Sequence, residues 1–197
     1  MPDLTAGVAE TSKSQRSEEN IATISFESRL LKIGAWTLLR LPNSASAKLP
    51  SRGMVMAKGT IDGFYFQAAL EPDGKGGHWL KVDNAMRKAI GADAGGTAKL
   101  AIEPIKKWPE PGVPDDLKKA LAADQRAHNL WMGITPNSRW DWIRWINATK
   151  NPETRSIRIE KTLSKLKSGK RTACCFDRSQ CTEPEVSKNG VLLEPQR

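Results

Sequence analysis

The apolar pattern of this chain changes its period once, at a proline-rich stretch between residues 104 and 114. Before the stretch, apolar residues occur in short runs bounded by turn-forming residues, as is typical of β-strands. After it, they recur every three or four residues, as is typical of helices. Proline lacks a backbone donor and fixes φ, so an extended linker is expected here. Its prolines are Pro104, Pro109, Pro111 and Pro114. The sequence therefore predicts an α+β fold in which the β part comes first.

The β part contains six runs of strand-forming residues. They are residues 24–33, 35–42, 53–63, 64–72, 78–82 and 97–104. Asp62-Gly63 lies between two runs and predicts a tight hairpin, because glycine accepts a positive φ. Residues 84–90 have a helical pattern, with Asn84 as the candidate N-cap and Gly91 as the end. Six short strands around one brief helix predict a small closed β-barrel.

The helical part divides into segments with recognisable starts. Leu117 and Leu121 share one face of the first segment. A second apolar face is predicted for residues at the spacing i, i+3, i+4 and i+7; these are Ala127, Leu130, Trp131 and Ile134. Thr135-Pro136 and Asn151-Pro152 each combine an N-cap residue with proline at the first helical position, so each predicts a helix start. The last helix is expected to run to about Ser168 and to end at Gly169.

The remaining segments set the expected domains and compartment. Residues 1–22 are polar and aperiodic, which predicts a flexible leader. We expect a barrel domain over 23–105, a helical domain over 113–171 and a cysteine-containing tail over 172–197. The start has no secretory pattern, and no apolar run has the roughly 18 residues that a membrane span needs. The prediction is a soluble, cytoplasmic protein without a transmembrane segment.

The excess of basic over acidic residues does not by itself identify a partner. The formal charge is +9, which favours acidic partners such as nucleic acid, anionic lipid or an acidic protein. The candidate anion-binding residues are Arg144, Arg155, Arg158 and Lys161, since guanidinium groups bind phosphate or carboxylate with two hydrogen bonds. The alternative is structural: Arg155 pairs with a carboxylate or carbonyl of the preceding helix, and the other charges remain in water.

The seven tryptophans also allow two interpretations. Tryptophans interleaved with arginines can stack on bases, but on helices they are usually core residues. Trp142 and Trp145 are expected to point too far apart for both to face one core. Trp79, Trp108 and Trp145 are candidates for a pocket between the barrel and the helices.

No catalytic, metal or cofactor site is predicted. The chain has two histidines and no catalytic triad signature. The glycine-rich residues 74–77 lack the Lys-Ser/Thr ending of a nucleotide-binding loop and are interpreted as a hairpin turn. Cys174, Cys175 and Cys181 lack zinc-site spacing; they are candidate redox thiols if the neighbouring Lys170 and Arg171 lower their pKa, and are otherwise structural.

Several motifs resemble known bacterial families. The β part has an aromatic-led first strand, a third strand running into Gly59-Thr60-Ile61-Asp62-Gly63, a glycine-rich turn before His78, and Arg87-Lys88 ahead of Gly91. These features resemble a bacterial domain of unknown function. Gly95-Gly96 stands where such barrels often have Gly-Asp, which is a departure from the pattern.

The helical part resembles the YdeI/OmpD-associated, or bacteriocin-protection, family. The matching segments are residues 114–117 with 120–121, residues 145–150, and residues 152–155 with 158–159. Thr149 interrupts the usual Ala-Lys pair. The resemblance implies a double-split or related barrel joined to a helical unit, with a role in protection against bacteriocins or antimicrobial peptides. It also implies an envelope protein, such as a porin, as a partner, and it provides no catalytic residues.

Two main hypotheses follow. The first is a non-enzymatic cytoplasmic stress or envelope-protection protein that acts by binding. The second is a nucleic-acid or other anion-binding module that uses the basic, tryptophan-rich helical part. An enzyme with a pocket at the junction of barrel and helices ranks last.

Overall fold

A computed structural model describes residues 22–91, 94–173 and 176–195. Its β part contains strands at the places where the sequence predicts them. The strands are β1 (Ile24–Ile33), β2 (Trp36–Arg40), β3 (Val55–Ile61), β4 (Phe64–Pro72), β5 (His78–Lys81) and β6 (Thr97–Pro104). They form a closed barrel in the order β1-β2-β5-β4-β3-β6, and every pairing is antiparallel. The α+β prediction with a six-stranded closed barrel is confirmed.

Barrel closure depends on Gly59. This residue pairs with Ile102 across the β3–β6 contact. A Cβ atom at position 59 would lie 2.1 Å from the carbonyl oxygen of Ala101, so only glycine lets the two strands approach this closely. At the other end of the same motif, Asp62 and Gly63 have φ values of 47° and 85°. These values fit a tight hairpin turn, as the sequence predicts.

The barrel interior is filled by aliphatic side chains that alternate along the strands. Leu39, Ile61, Leu70, Leu80 and Ile102 are fully buried there, and burial of each such side chain contributes about 2 kcal/mol. Two short helices accompany the barrel, α1 (Asn43–Ser46) and α2 (Asn84–Ile90).

The start of α2 differs by one residue from the prediction. The N-cap is Asp83, whose carboxylate accepts a hydrogen bond from the Met86 N–H. Asn84 is the first helical residue instead, so its assignment as the cap is wrong. Asp83 and Asn84 are both good caps by residue type, and the sequence alone does not choose between them. Gly91 ends the helix with φ 64°, as predicted.

The helical part has four helices; the predicted starts of the last two and the predicted end of the last one agree with the structure, whereas the break between the first two was not predicted. They are α3 (Asp115–Ala122), α4 (Gln125–Gly133), α5 (Pro136–Asn147) and α6 (Pro152–Lys167). Thr135 caps α5 and Asn151 caps α6, each by accepting backbone N–H groups through its side-chain oxygen. Pro136 and Pro152 occupy the first turns, where their missing N–H has no intrahelical partner to lose.

A single apolar cluster holds these helices together. Leu117, Trp131, Trp142 and Ile146 are at its centre. Leu130, which the periodicity places on the buried face, is 36% exposed. That assignment is wrong because the packing of α4 buries only the face that carries Ala127 and Trp131.

The segment after α6 packs on the outside of the barrel. It contains two strands of two residues, β7 (Ser187–Lys188) and β8 (Val191–Leu192). Its buried residues Cys181, Val186 and Leu192 pack against Leu38 and Trp79. Since Leu39 and Leu80 point into the barrel, their neighbours Leu38 and Trp79 point outward. The segment therefore covers an outer apolar face that would otherwise meet water.

Candidate functional site

A groove with an apolar floor opens between α3 and α4 in the helical part. It has a volume of about 610 Å³, which lies in the range of small binding sites. Leu121 and Trp131 form its floor and are almost wholly buried. Met132 lies at the rim and is 57% exposed. An exposed methionine beside a tryptophan gives a soft, adaptable apolar surface, as is common at binding sites.

The polar residues of the groove are basic or neutral. Lys118, Gln125 and His128 line it together with the apolar side chains. No carboxylate lines the groove among the residues that the structure describes. The groove can therefore accept apolar side chains on its floor and an acidic group beside Lys118.

Both ends of α4 are fixed, so the groove is preformed. At the start, the Asp124 carboxylate accepts the Ala127 N–H at 2.9 Å and is 2.6 Å from Nζ of Lys167 on α6. At the end, the buried Arg139 side chain donates to the carbonyls of Trp131 and Met132 at 3.1 and 2.9 Å. Carbonyl groups at a helix end have no intrahelical donor, and the Arg139 guanidinium donates to these two carbonyls instead.

Arg155 links three helices. Its guanidinium binds the Asp116 carboxylate of α3 through two hydrogen bonds, with Nε–Oδ2 and Nη2–Oδ1 distances of 2.5 and 3.0 Å. Nη1 donates to the Asn147 side chain of α5 at 2.8 Å. The Arg155 hydrogen bond holds the pKa of Asp116 below its ordinary value. Arg155 therefore has the structural role that the sequence offered as an alternative to anion binding. Its carboxylate partner lies on α3, and the preceding helix, α5, contributes the side-chain amide of Asn147.

Comparison with known families assigns both parts of the chain. Residues 110–169 match the family described as bacteriocin-protection, YdeI or OmpD-associated, and residues 26–102 match the domain of unknown function DUF1905. The chain joins a DUF1905 barrel to a YdeI/OmpD-associated domain. No curated protein matches the chain. All lining residues of the α3–α4 groove fall inside the YdeI/OmpD-associated match.

Two other predicted anion-binding residues of the YdeI/OmpD-associated domain have different surroundings. Arg158 donates to the Trp145 carbonyl at 2.6 Å and stacks on the Trp145 ring, 5.5 Å from its centroid. Burial lowers the pKa of Arg158. Lys161 is exposed on the outer face of α6. Neither lies beside Arg144, so the structure does not bring the four candidates into one clamp.

Arg144 is buried at the junction of the two domains. Its Nε and Nη2 are 3.0 and 2.9 Å from the Glu71 carboxylate at the end of β4. Nη2 also donates to the Gln180 carbonyl at 3.3 Å, and the guanidinium lies 5.4 Å from the Phe176 ring centroid. This one side chain therefore joins the barrel, α5 and the C-terminal segment.

Three carboxyl groups surround Arg144. Burial raises the pKa of Glu71, and the Arg144 charge opposes that shift. Burial likewise raises the pKa of Asp141, which pairs with Arg178 of the C-terminal segment. Burial and the Glu71 charge raise the pKa of Glu183 to about 7. The junction thus gathers three carboxyl groups where water is scarce, and burial favours the neutral form of each.

The tryptophans are mainly packing residues. Trp142 is fully buried, and its ring is 5.8 Å from that of Trp145 in an edge-on arrangement. The expectation that these two point too far apart is wrong, because residues three apart on a helix are neighbours. Trp140 and Trp142 each donate through Nε1 to a carbonyl, those of Pro109 and Arg171.

The three tryptophans proposed for a junction pocket have separate environments. Trp79 packs under the C-terminal segment, 6.2 Å from Trp36 between ring centroids. Trp145 packs on the helical cluster, and Trp108 is half-buried in the linker. None of the three lines the α3–α4 groove. An enzymatic pocket at the junction stays a prediction.

Cys181 is the one candidate redox thiol among the residues that the structure describes. Cys181 is buried, and burial raises the pKa of its thiol. The thiolate needed for redox chemistry is therefore disfavoured, which is opposite to the lowering expected from nearby basic residues. Cys174 and Cys175 lie outside the described residues. Within residues 22–91, 94–173 and 176–195, no group of three potential ligands could hold a metal ion, and no helix is long and apolar enough to cross a membrane.

Sequence reasoning missed the groove and the junction for different reasons. Met132 and His128 belong to no motif, and no residue pattern in the sequence marks the groove between α3 and α4. Glu71 and Arg144 are 73 positions apart, and nothing in the local sequence connects them. The available signal was Glu71, the only charged residue of β4.

Proposed function

We propose that this protein is a non-enzymatic cytoplasmic binding protein that contributes to protection against bacteriocins or antimicrobial peptides. The observation that carries the proposal is the location of the preformed α3–α4 groove. It lies wholly within residues 110–169, the range that matches the bacteriocin-protection family. The free, buried Cys181 is in keeping with a reducing compartment. The protein would thus act in the response to envelope stress.

The groove suits a short amphipathic helix of a protein partner. Its floor can take apolar side chains at helical spacing, as in other helix-in-groove complexes. Lys118 at its side, with no carboxylate among the described lining residues, favours a partner helix that carries an acidic residue. An envelope protein with such a segment is the partner that we propose. The volume of about 610 Å³ accommodates a few side chains, so the partner contributes a segment and not a whole domain.

A deletion strain tests the role. We expect a strain lacking the protein to be more sensitive to bacteriocins and cationic peptides, and a plasmid copy to restore resistance. The Met132→Glu variant places a negative charge at the rim of the groove, where it repels an acidic partner segment, so this variant should fail to restore resistance. Unchanged sensitivity of the deletion strain would refute the proposed role.

Ile157→Glu is the matched control. Ile157 on α6 is 46% exposed and does not line the groove, so the same change of size and charge leaves the groove intact. We expect this variant to restore resistance fully. Circular dichroism melting should give both variants the stability of the natural protein, since both side chains are exposed. If Met132→Glu restores resistance as well as Ile157→Glu, the groove is not the docking site.

A further inference from the structure

A second concave surface lies on the barrel, beside the glycine-rich turn between β4 and β5. It has a volume of about 440 Å³, which is enough for a small organic molecule. Arg52 and Lys75 contribute its charges, and Asn43, Ser46 and Ser51 contribute uncharged polar groups. Among the described residues that line it, none is a carboxylate. The surface is therefore positive and rich in hydrogen-bond donors.

Arg52 is available to a ligand. It is exposed, and it makes no hydrogen bond or ion pair with the residues that the structure describes. Its Nη1 would be 3.3 Å from a Cβ atom at position 76, so the guanidinium lies against the backbone of Gly76. The missing side chain leaves that backbone open, and a ligand can reach the guanidinium and the turn together.

The two serine hydroxyls are oriented by the backbone. Ser46 Oγ accepts the His78 N–H at 3.1 Å, and Ser51 Oγ accepts the Gly53 N–H at 3.0 Å. A hydroxyl that accepts a bond still has its own proton to donate. The buried His78 ring links the start of β5 to the loop before β3, since its Nε2 donates to the Gly53 carbonyl at 3.0 Å.

Two carboxylates lie near the depression but do not line it. Asp73 is turned into the loop, where its Oδ1 accepts the N–H groups of Lys75 and Gly77 at 2.7 and 2.8 Å. Glu194 is 3.5 Å from Lys75 Nζ, and both side chains are 62% exposed. A surface ion pair of this kind is weak, so Lys75 can exchange Glu194 for a ligand.

We propose that this depression binds a small molecule that carries a phosphate group. A phosphate monoester has a charge of roughly −1.5 to −2 at neutral pH and three acceptor oxygens. Arg52 and Lys75 match that charge, and the two hydroxyls match the remaining oxygens. The site is separate from the α3–α4 groove and goes beyond the proposed function. It also differs from a nucleotide-binding loop, because the glycine-rich turn here connects two strands.

Calorimetric titration of the full chain at low ionic strength tests this site. The probes are inorganic pyrophosphate and adenosine 5′-monophosphate. We expect both to bind, and we expect Arg52→Gln and Lys75→Gln each to weaken binding by about tenfold, as is usual for loss of one charge-assisted contact.

Lys119→Gln is the matched control for charge. Lys119 is an exposed lysine on α3 of the helical part and does not line the depression. We expect its variant to bind within about twofold of the natural protein, since screened charges at a distance contribute little. Failure of both probes to bind, or equal weakening in all three variants, would overturn the proposal. Binding to vesicles of phosphatidylglycerol and phosphatidylethanolamine without binding of either soluble probe would also overturn it, because the anion source would then be a lipid surface.

Discussion

Replacement of Glu183 by glutamine probes the electrostatics of the domain junction. Burial and the charge of Glu71 raise the pKa of Glu183 from 4.5 to about 7 in the folded protein. In the unfolded chain the same carboxyl group ionises near its ordinary value. Between these two pH values the folded protein holds a proton that the unfolded chain has lost, so stability falls as the pH rises.

The size of this effect follows from the two pKa values. Each pKa unit corresponds to about 1.36 kcal/mol, so a shift from 4.5 to about 7 corresponds to roughly 3 kcal/mol. The stabilisation that comes from protonated Glu183 is fully present below pH 4.5 and is lost once the pH exceeds about 7. Glutamine resembles the protonated acid and cannot ionise. We therefore expect Glu183→Gln to match the natural protein at about pH 4.5 and to be more stable by up to about 3 kcal/mol at pH 8.

Urea denaturation followed by tryptophan fluorescence at several pH values measures this difference. Glu185→Gln is the matched control, because Glu185 is two positions away, 55% exposed, and paired only with the exposed Lys150 among the described residues. We expect that control to change the free energy of unfolding by less than about 0.5 kcal/mol at any pH. If the free energy of unfolding has the same pH dependence in Glu183→Gln and in the natural protein, the junction does not hold Glu183 in its neutral form.

Two further substitutions test other features. Arg144→Met leaves the Glu71 carboxylate buried and unpaired, so we expect urea denaturation to show a loss of about 3–5 kcal/mol in the free energy of unfolding. The additional change Glu71→Leu should recover much of this loss. No recovery in the double variant would contradict the pairing. Gly59→Ala introduces a Cβ atom 2.1 Å from the Ala101 carbonyl oxygen, and we expect thermal unfolding to show a loss of about 1–3 kcal/mol. Gly112→Ala, where a Cβ atom meets nothing within 4 Å, should change stability little, and equal losses would show that strand crowding is not the cause.

Local chemistry made most of the fold predictable. Turn residues such as Asp62-Gly63 and cap-proline pairs such as Thr135-Pro136 constrain the backbone within a few positions, so the sequence alone locates strand and helix ends. The one-residue error at Asp83 arose because two adjacent residues are equally good caps. The error at Leu130 had a tertiary cause, since the exposed side of a short helix depends on how its neighbours are placed.

The candidate sites were much less predictable. A groove depends on how two helices are placed, and the depression on the barrel brings together residues from two separate segments, 43–52 and 75–76. Charge counts indicated an excess of basic residues but not which were already paired. Arg144 and Arg155, two of the four anion-binding candidates, have partners that lie far away in the sequence, at Glu71 and Asp116.

The position of the C-terminal segment affects how the chain folds during synthesis. Residues 176–195 follow both domains in the sequence, and they cover Trp79 on the barrel while Gln180 accepts a hydrogen bond from Arg144 of α5. A barrel that emerges first from the ribosome has its outer apolar face uncovered until this segment arrives. During that interval Leu38 and Trp79 form a surface that a chaperone can recognise.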